Sequence, residues 1–182
     1  MRAKSVIAIA ALLIAASAMN AIASAQGVDR PPPGCAAWNA NLPPAWAGWG
    51  ENPRAIVAAN TPAALASVEI SVGKKVSVTL APAKAVKLSV ETPDAAPPKD
   101  AHKGMLSLRV PADGYYWVAS SEGLWIDVVQ SGKIVDSTDH GPGPDCASIA
   151  KSVQFPLKAG EVQIQLSDNR GAKVDIMVAR QP

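Results

Sequence analysis

The sequence predicts an all-β protein, a single antiparallel β-sandwich of jelly-roll type behind a Pro/Trp-rich N-terminal coil. Apolar and polar residues alternate with a period of two in short runs from Val68 onward, and turn-forming residues separate the runs. No stretch of the mature chain carries the period of a long amphipathic helix. With 182 residues, 48% hydrophobic and 18% charged, the chain suits one domain with a substantial core. This composition excludes a disordered tail and a cysteine-rich miniprotein.

Residues 1–25 have the features of a secretory signal peptide. Arg2 and Lys4 form a basic start, an apolar run follows over residues 6–16, and Ala23-Ser24-Ala25 fits the small-x-small cleavage pattern. The apolar run is much shorter than the roughly 20 residues that span a bilayer. We therefore expect cleavage after Ala25, a periplasmic or secreted location, and no membrane span after signal cleavage.

The charge balance gives no electrostatic argument for a nucleic-acid partner. The chain carries 17 Lys and Arg residues against 15 Asp and Glu residues. Arg2 and Lys4 leave with the signal peptide, so the mature part holds 15 charges of each sign. A neutral mature chain lacks the basic excess that nucleic-acid binding requires, and we expect no nucleic-acid partner.

Cys35 and Cys146 are predicted to form a disulfide. They are the two cysteines of the chain, and an oxidising compartment favours their pairing. A bridge across most of the mature chain stabilises the fold by about 4–5 kcal/mol on the chain-entropy argument. It would also hold the Pro-rich segment on the domain. The alternatives are a metal pair or a reactive thiol, although neither cysteine lies in a CxxC motif.

Residues 26–66 lack a sustained period and are rich in Pro, Gly and Trp. They are predicted to form a coil that packs on the sandwich. Pro31, Pro32 and Pro33 favour an extended start. Residues 55–66 favour one or two short helical turns, which Pro62 would interrupt.

Residues 67–182 form the predicted sandwich domain. Turns are expected at 111–114, 121–123 and 131–132, while Gly73-Lys74 is either a tight turn or a kink in one longer strand. The last two strands are expected to pair with each other across 167–171. The wide interval between the cysteines does not fit an immunoglobulin domain, which favours a jelly roll. The strands are predicted at 68–72, 76–80, 86–90, 106–110, 115–120, 124–130, 134–135, 153–157, 162–166 and 174–178.

The densest polar cluster lies between residues 136 and 145. Its candidate metal ligands are Asp136, Asp139, His140 and Asp145. Carboxylates and an imidazole suit a hard or borderline cation, but the same residue types are typical of a solvated loop, and no calcium-loop spacing is met. His102 stands alone in a loop of Lys, Asp and Pro and is expected to be exposed.

The sequence carries no recognisable catalytic motif. It contains no G-x-S-x-G, no H-E-x-x-H, no phosphate-binding Gly-rich loop and no dinucleotide fingerprint. Because the chain has 2 histidines, a site with two histidines and one carboxylate would have to use both His102 and His140. The sequence therefore favours a non-enzymatic protein with no cofactor.

The aromatic residues give the clearest indication of binding. Tyr115 and Trp117 share one strand face, and Trp125 is predicted to lie close by on a neighbouring strand, facing outward with Asp127. A flat aromatic set of this kind can stack against sugar rings. In the alternative arrangement, the N-terminal segment covers that face and its tryptophans pack against Trp117. Those tryptophans are Trp38, Trp46 and Trp49.

Three stretches carry a resemblance to known proteins: CAAW at Cys35, GYYWV at Gly114, and CASIAKSVQFPLKAGEVQIQLS from Cys146. They resemble a set of short exported bacterial β-sandwich proteins, some of which are labelled homogentisate 1,2-dioxygenase. Homogentisate dioxygenases are longer cupin enzymes that bind iron through two histidines and a glutamate, and this sequence shows no such motif. The pattern L-x-A-G-x-V-x-I-x-L is also similar to late strands of the accessory sandwich domains of secreted peptidases and glycan-active enzymes.

Residues and resemblance together imply an exported, non-enzymatic β-sandwich protein of binding or envelope-accessory type. Its partner would be a protein or glycan of the cell envelope. One alternative is a small iron-dependent dioxygenase, which requires bound iron with His102 and His140 a few ångströms apart. The other is a glycan-binding module that uses Tyr115, Trp117 and Trp125.

Overall fold

A computed structural model describes residues 31–91 and 98–182, so the predicted signal peptide lies outside the described residues. Within those two stretches, no helix is long and apolar enough to cross a membrane.

The chain folds into two β-sheets that pack face to face. In order, the elements are the 3-10 helix η1 (Pro44–Gly50), β1 (Arg54–Val57), the 3-10 helix η2 (Pro62–Ser67), β2 (Glu69–Ile70), β3 (Val76–Thr79), β4 (Ala81–Pro82), the 3-10 helix η3 (Ala83–Ala85), β5 (His102–Val110), β6 (Gly114–Ser120), β7 (Trp125–Gln130), β8 (Lys133–Ile134), β9 (Asp139–Gly141), β10 (Lys151–Leu157), β11 (Gly160–Asn169) and β12 (Lys173–Arg180).

The strands of the two sheets follow jelly-roll connectivity. Sheet A has the order β1-β3-β12-β6-β10-β9, and sheet B has the order β2-β5-β11-β7-β8, with β4 beside β5. Eight of the strands pair in nested order, the first with the last: β3 with β12, β5 with β11, β6 with β10, and β7 with β8. The predicted all-β sandwich is confirmed. It is antiparallel except at one edge of each sheet, where β1 runs parallel to β3 and β2 runs parallel to β5.

The core lies between the sheets and follows from the period-two alternation. On β5 and β11, the inward side chains include Leu106, Leu108 and Ile164, each at most 2% exposed. Each such side chain stabilises the fold by roughly 1.5–3 kcal/mol relative to an exposed one. Tyr116 is also fully buried, and its hydroxyl donates a 2.8 Å hydrogen bond to the carbonyl oxygen of Ala112.

The predicted pairing of strand 162–166 with strand 174–178 is wrong. β11 pairs with β5 and β7 in sheet B, whereas β12 pairs with β3 and β6 in sheet A. The register of β11 shifts between Leu166 and Asn169, and Asp168 has a φ of 59°, which bends the chain toward the other sheet. The side-chain amide of Asn169 donates to the carbonyl of Gly171 at 2.7 Å and holds this corner.

The predicted strand at 86–90 does not form either. Instead, residues 86–91 run as an irregular segment, here named the strap, over the outer face of sheet B. The Val90 N–H donates to Gln165 Oε1 at 3.0 Å, and Gln165 Nε2 donates to the Val90 carbonyl at 2.8 Å. A side chain thus takes the backbone hydrogen bonds that a strand would need. Leu88 of the strap is buried in a small cluster with Met105 on the outer face of sheet B.

The N-terminal segment contains more regular structure than the predicted coil. Arg54–Val57 is an edge strand of sheet A, and Pro62 occupies the first turn of η2 instead of interrupting a helix. Gly73 forms a tight turn, which decides between the two readings of Gly73-Lys74. Its φ of 77° lets the chain pass from β2 in sheet B to β3 in sheet A.

Residues 35–50 cover the outer face of sheet A. Trp49 is 1% exposed and packs with Met177 and Trp117 in what we name the Trp49 cluster. The Trp49 Nε1 donates to Ser148 Oγ at 3.1 Å. Gly48 approaches the turn at Gly73 so closely that a Cβ there would lie 1.9 Å from the carbonyl oxygen of Gly73, so no larger residue fits.

The predicted disulfide between Cys35 and Cys146 is present and fastens this cover. Beside it, the backbone N–H of Asn39 donates to the Cys146 carbonyl at 2.7 Å, and the Asn39 side chain accepts a 2.9 Å hydrogen bond from the Ser148 N–H. One covalent bond and a local polar network therefore hold the segment in place.

Removal of the disulfide should lower the free energy of unfolding by about 4 kcal/mol, because the unfolded chain regains the entropy that the closed loop had removed. The double variant Cys35→Ala/Cys146→Ala and the oxidised wild type are compared by urea denaturation. Wild type in reductant is the control and should match the variant. A loss under about 1 kcal/mol would show that the noncovalent contacts of the Trp49 cluster suffice.

Candidate functional site

The three predicted stacking residues do not form one surface. Tyr115 and Trp117 lie on β6 in sheet A, whereas Trp125 lies on β7 in sheet B. The prediction that Trp125 neighbours them is wrong, because the turn at 121–123 carries the chain from one sheet to the other. Trp117 is half-buried in the Trp49 cluster, so the N-terminal segment covers part of that face. Tyr115 and Trp125 remain 50% and 53% exposed on different sheets.

The candidate metal ligands at 136–145 are not brought together. Asp139 and His140 are consecutive residues of the edge strand β9 and are both exposed, and Asp139 Oδ1 accepts a 2.8 Å hydrogen bond from the His140 backbone N–H. Asp136 and Asp145 are exposed on either side of this strand. In the described part of the chain, no three His, Cys, Asp or Glu side chains are placed to hold a metal ion.

His102 is half-buried at the start of β5, so its predicted exposure is wrong. It pairs across the ladder with Pro82 on one side and Asn169 on the other. His102 therefore belongs to sheet B, whereas His140 belongs to an edge strand of sheet A.

The outer face of sheet B carries a groove of about 690 Å³, which we name the outer groove. Its floor consists of outward side chains of β5, β11 and β7. One wall is η2, and the other is the β7–β8 turn, where Ser131 and Gly132 have φ values of 53° and 74°. Its volume lies within the range of small-molecule binding sites.

A row of three residues crosses the floor of the outer groove. Ser107 on β5 lies opposite Gln163 on β11, which in turn lies opposite Val129 on β7. The Ser107 hydroxyl donates to the Leu65 carbonyl at 3.1 Å and so fixes η2 against the sheet. The Oε1 atom of Gln163 is buried without a hydrogen-bond partner among the described residues. The floor thus combines an amide that is not fully satisfied with an apolar patch.

An ion pair closes one end of the outer groove. Arg109 and Glu161 are directly paired in the ladder, and their side chains approach to 2.9 Å. Because both are mostly exposed, the pair adds little to stability. Its guanidinium and carboxylate can both exchange partners with a polar ligand at small cost.

The strap crosses the outer face of sheet B at the next outward position of β11 beyond Gln163. Gln165, the next outward residue of β11, is 1% exposed because its amide is bonded to both backbone groups of Val90. The strap therefore lies between the groove and Trp125, which faces outward from the far end of β7. Trp125 and Val129 are four residues apart on that strand, which corresponds to about 13 Å.

Trp125 is an exposed ring held in a fixed orientation. Its Nε1 donates to Asp127 Oδ1 at 3.1 Å, and the ammonium of Lys151 lies 5.1 Å from its ring centroid. Lys151 also donates to the Leu124 carbonyl at 2.9 Å. As predicted, Trp125 and Asp127 share the outward face of β7. The buried inward residues of this stretch are Leu124, Ile126 and Val128.

Burial lowers the pKa of Lys151 below its ordinary value of 10.5, and the nearby carboxylate of Asp127 partly opposes this shift. The ammonium lies over an indole ring and has lost part of its water, while Asp127 supplies the compensating charge. These three side chains form one unit at the rim of sheet B, which we name the Trp125 platform.

Sequence reasoning missed the outer groove, although one signal was available. The outward residues of β11 are Glu161, Gln163, Gln165 and Ser167, and all of them are polar. In a central strand flanked by β5 and β7, such a row marks a face that meets polar groups.

Comparison with known protein families and with curated proteins finds no match for this chain. Among solved structures, the chain is similar to the pre-peptidase C-terminal domain of a collagenase from Bacillus anthracis. The two share 10% sequence identity with a TM-score of 0.37, over 70% of this chain and 99% of that one. A likeness at this level assigns neither a ligand nor an activity.

The lowered pKa of Lys151 predicts a local pH dependence of stability. Between the folded and unfolded pKa values, the unfolded chain binds more protons, so the free energy of unfolding rises with pH. Below that interval, the partly buried charge of Lys151 lowers the free energy of unfolding. Lys151→Met keeps the apolar stem and should reduce this rise just below pH 10.5.

The measurement is the denaturation midpoint from about pH 8 to about pH 10.5. Lys133→Met, at an exposed lysine of the β7–β8 hairpin, is the matched control and should follow the wild type. An equal slope in the Lys151 variant and the wild type would contradict the assignment.

Proposed function

We propose that this protein is an exported, non-enzymatic binding module of the cell envelope, and that its ligand lies on the outer face of sheet B. The observation that carries the proposal is the outer groove. Its floor is a row of Ser107, Gln163 and Val129 on three neighbouring strands, and the exposed ion pair of Arg109 and Glu161 lies at one end. Sheet A presents no comparable free surface where residues 35–50 cover it.

The signal-like N-terminus and the disulfide support export. Disulfides persist in oxidising compartments, which include the periplasm and the extracellular space. The Cys35–Cys146 bridge joins two of the three stretches that resemble short exported bacterial proteins. We propose on this basis that the chain belongs with those proteins and is periplasmic or secreted.

A glycan is the ligand class that the Trp125 platform favours. Sugar rings combine an apolar face, which stacks on an indole, with hydroxyl groups that need amide or carboxylate partners. Trp125 is more than half exposed and already oriented by Asp127 and Lys151, so stacking would cost little conformational entropy. Of the three predicted stacking residues, Trp125 alone lies on this face of sheet B. The polar groove lies on the other side of the strap.

The iron-dependent dioxygenase remains an alternative proposal that rests on the family label. It would need both histidines on one iron together with a carboxylate. His102 and His140 lie on strands of different sheets, and the described chain groups no third ligand with them. The binding module therefore has more structural support than the dioxygenase.

The glycan proposal is tested with cello-, xylo- and chito-oligosaccharides, read by tryptophan fluorescence and isothermal titration. Trp125→Ala should weaken binding by about tenfold or more, since a stacked aromatic anchor is lost. Tyr115→Ala is the matched control, because Tyr115 is equally exposed on the other sheet, and its affinity should be unchanged. Fluorescence that stays constant across the panel would contradict glycan binding.

The groove is tested separately with Gln163→Leu, which keeps the volume and removes the amide. If a ligand uses both surfaces, this variant should weaken binding by about tenfold without changing the fluorescence maximum of the bound state. A ligand lost in Gln163→Leu but retained in Trp125→Ala would support the binding module and refute the stacking role.

The export proposal predicts the mass of the purified exported protein. Native mass spectrometry should show cleavage after Ala25, loss of two hydrogens at Cys35 and Cys146, and no bound metal. Retention of the first 25 residues in the envelope fraction would contradict cleavage. Stoichiometric iron would instead favour the dioxygenase, and His102→Ala and His140→Ala would then each have to abolish iron binding.

A further inference from the structure

A second cavity, of about 440 Å³, lies at the end of the sandwich where β5 begins. The corner between β4 and η3 forms one wall and residues 98–102 form the other. The Ala83 N–H donates to the Ala101 carbonyl at 2.8 Å, and the Ala101 N–H donates to the Pro98 carbonyl at 3.0 Å. The backbone therefore fixes both walls, and the side chains are left to define what the cavity accepts.

His102 lines this cavity, and its Nδ1 atom is buried with no hydrogen-bond partner in the described chain. Buried polar atoms are rarely left unpaired, and a buried N–H without an acceptor is the rarer and costlier case. The neutral ring avoids that cost when Nδ1 carries only a lone pair and the proton resides on Nε2. Because His102 lines the cavity and its Nδ1 atom is buried, Nε2 is the ring nitrogen left to meet a ligand.

Among the described residues that line the cavity, positive charges outnumber negative ones. Lys84 and Lys99 line it and are exposed, and Asp100 is the single carboxylate among its described lining residues. Over the two described stretches, neither lysine forms an ion pair with a carboxylate. Two ammonium groups and a ring N–H are all hydrogen-bond donors, so the cavity is matched to an acceptor with negative charge.

We infer that this cavity binds the oxyanion group, phosphate or carboxylate, of a small solute. His102 Nε2–H donates to one anion oxygen, while the ammonium groups of Lys84 and Lys99 supply the opposing charge as flexible point donors. The cavity shares no lining residue with the outer groove, so the inference does not depend on the proposed glycan site.

The two histidines of the chain make the inference directly testable by NMR of the full-length mature protein. Inorganic phosphate and acetate are titrated separately at constant ionic strength. The ring signals of His102 should shift saturably with one or both anions. Those of His140, which is exposed on a strand of the other sheet, should not. Long-range nitrogen–proton spectra should also show a proton on the Nε2 atom of His102.

The double variant Lys84→Ala/Lys99→Ala should weaken the anion by about tenfold or more while the fold is retained. Lys133→Ala, an exposed lysine on sheet B outside the cavity, is the matched control and should bind like the wild type. His102→Asn should also weaken binding, and the lysine variant keeps the test valid if this change disturbs β5.

Three results would overturn the inference. The first is no saturable shift of His102 with either anion at concentrations up to about 20 mM. The second is an equal shift of His102 and His140, which would indicate a general salt effect. The third is unchanged affinity in the double lysine variant. Saturation by phosphate alone, or by acetate alone, would support the site and identify which oxyanion it accepts.

Discussion

The nested pairing of the first central strand with the last is the constraint on which the rest of the structure depends. Because β3 pairs with β12 and β5 with β11, strands that are consecutive in sequence mostly lie in opposite sheets. Every long strand then turns one row of side chains to the core and the other outward. The two outward faces differ: residues 35–50 cover that of sheet A, whereas the outer groove and the Trp125 platform lie on that of sheet B.

Alternation predicted where most strands lie but not which strands meet. Val174 pairs with Val78, almost a hundred positions earlier in the chain, and a period of two is the same for a hairpin and for a strand that crosses to the other sheet. Residues 86–90 show a second limit. Leu88 is buried and Val86 and Val90 are half-buried, but the amide of Gln165 takes the hydrogen bonds of Val90, so the pattern yields a strap instead of a ladder.

The parts of the candidate site differ in how far the sequence predicted them. The disulfide followed from two cysteines in a chain with a predicted signal peptide, and the outward pair of Trp125 and Asp127 followed from alternation on β7. The packing of Trp117 under the N-terminal segment is one of the two arrangements that the tryptophan positions indicated. The groove floor could not follow, since it is assembled from strands that are distant in sequence. Ser107 and Gln163 have no local pattern that signals a shared row.

The short edge strands have a consequence for the protein at high concentration. The outermost strands β1, β2, β8 and β9 contain 4, 2, 2 and 3 residues, so each offers few free backbone groups. The Arg54 guanidinium also occupies the carbonyl of Glu69 on the edge of sheet B. Short or occupied edges are poor templates for strand addition, so the long apolar strands at the centre are protected from fibrillar self-association.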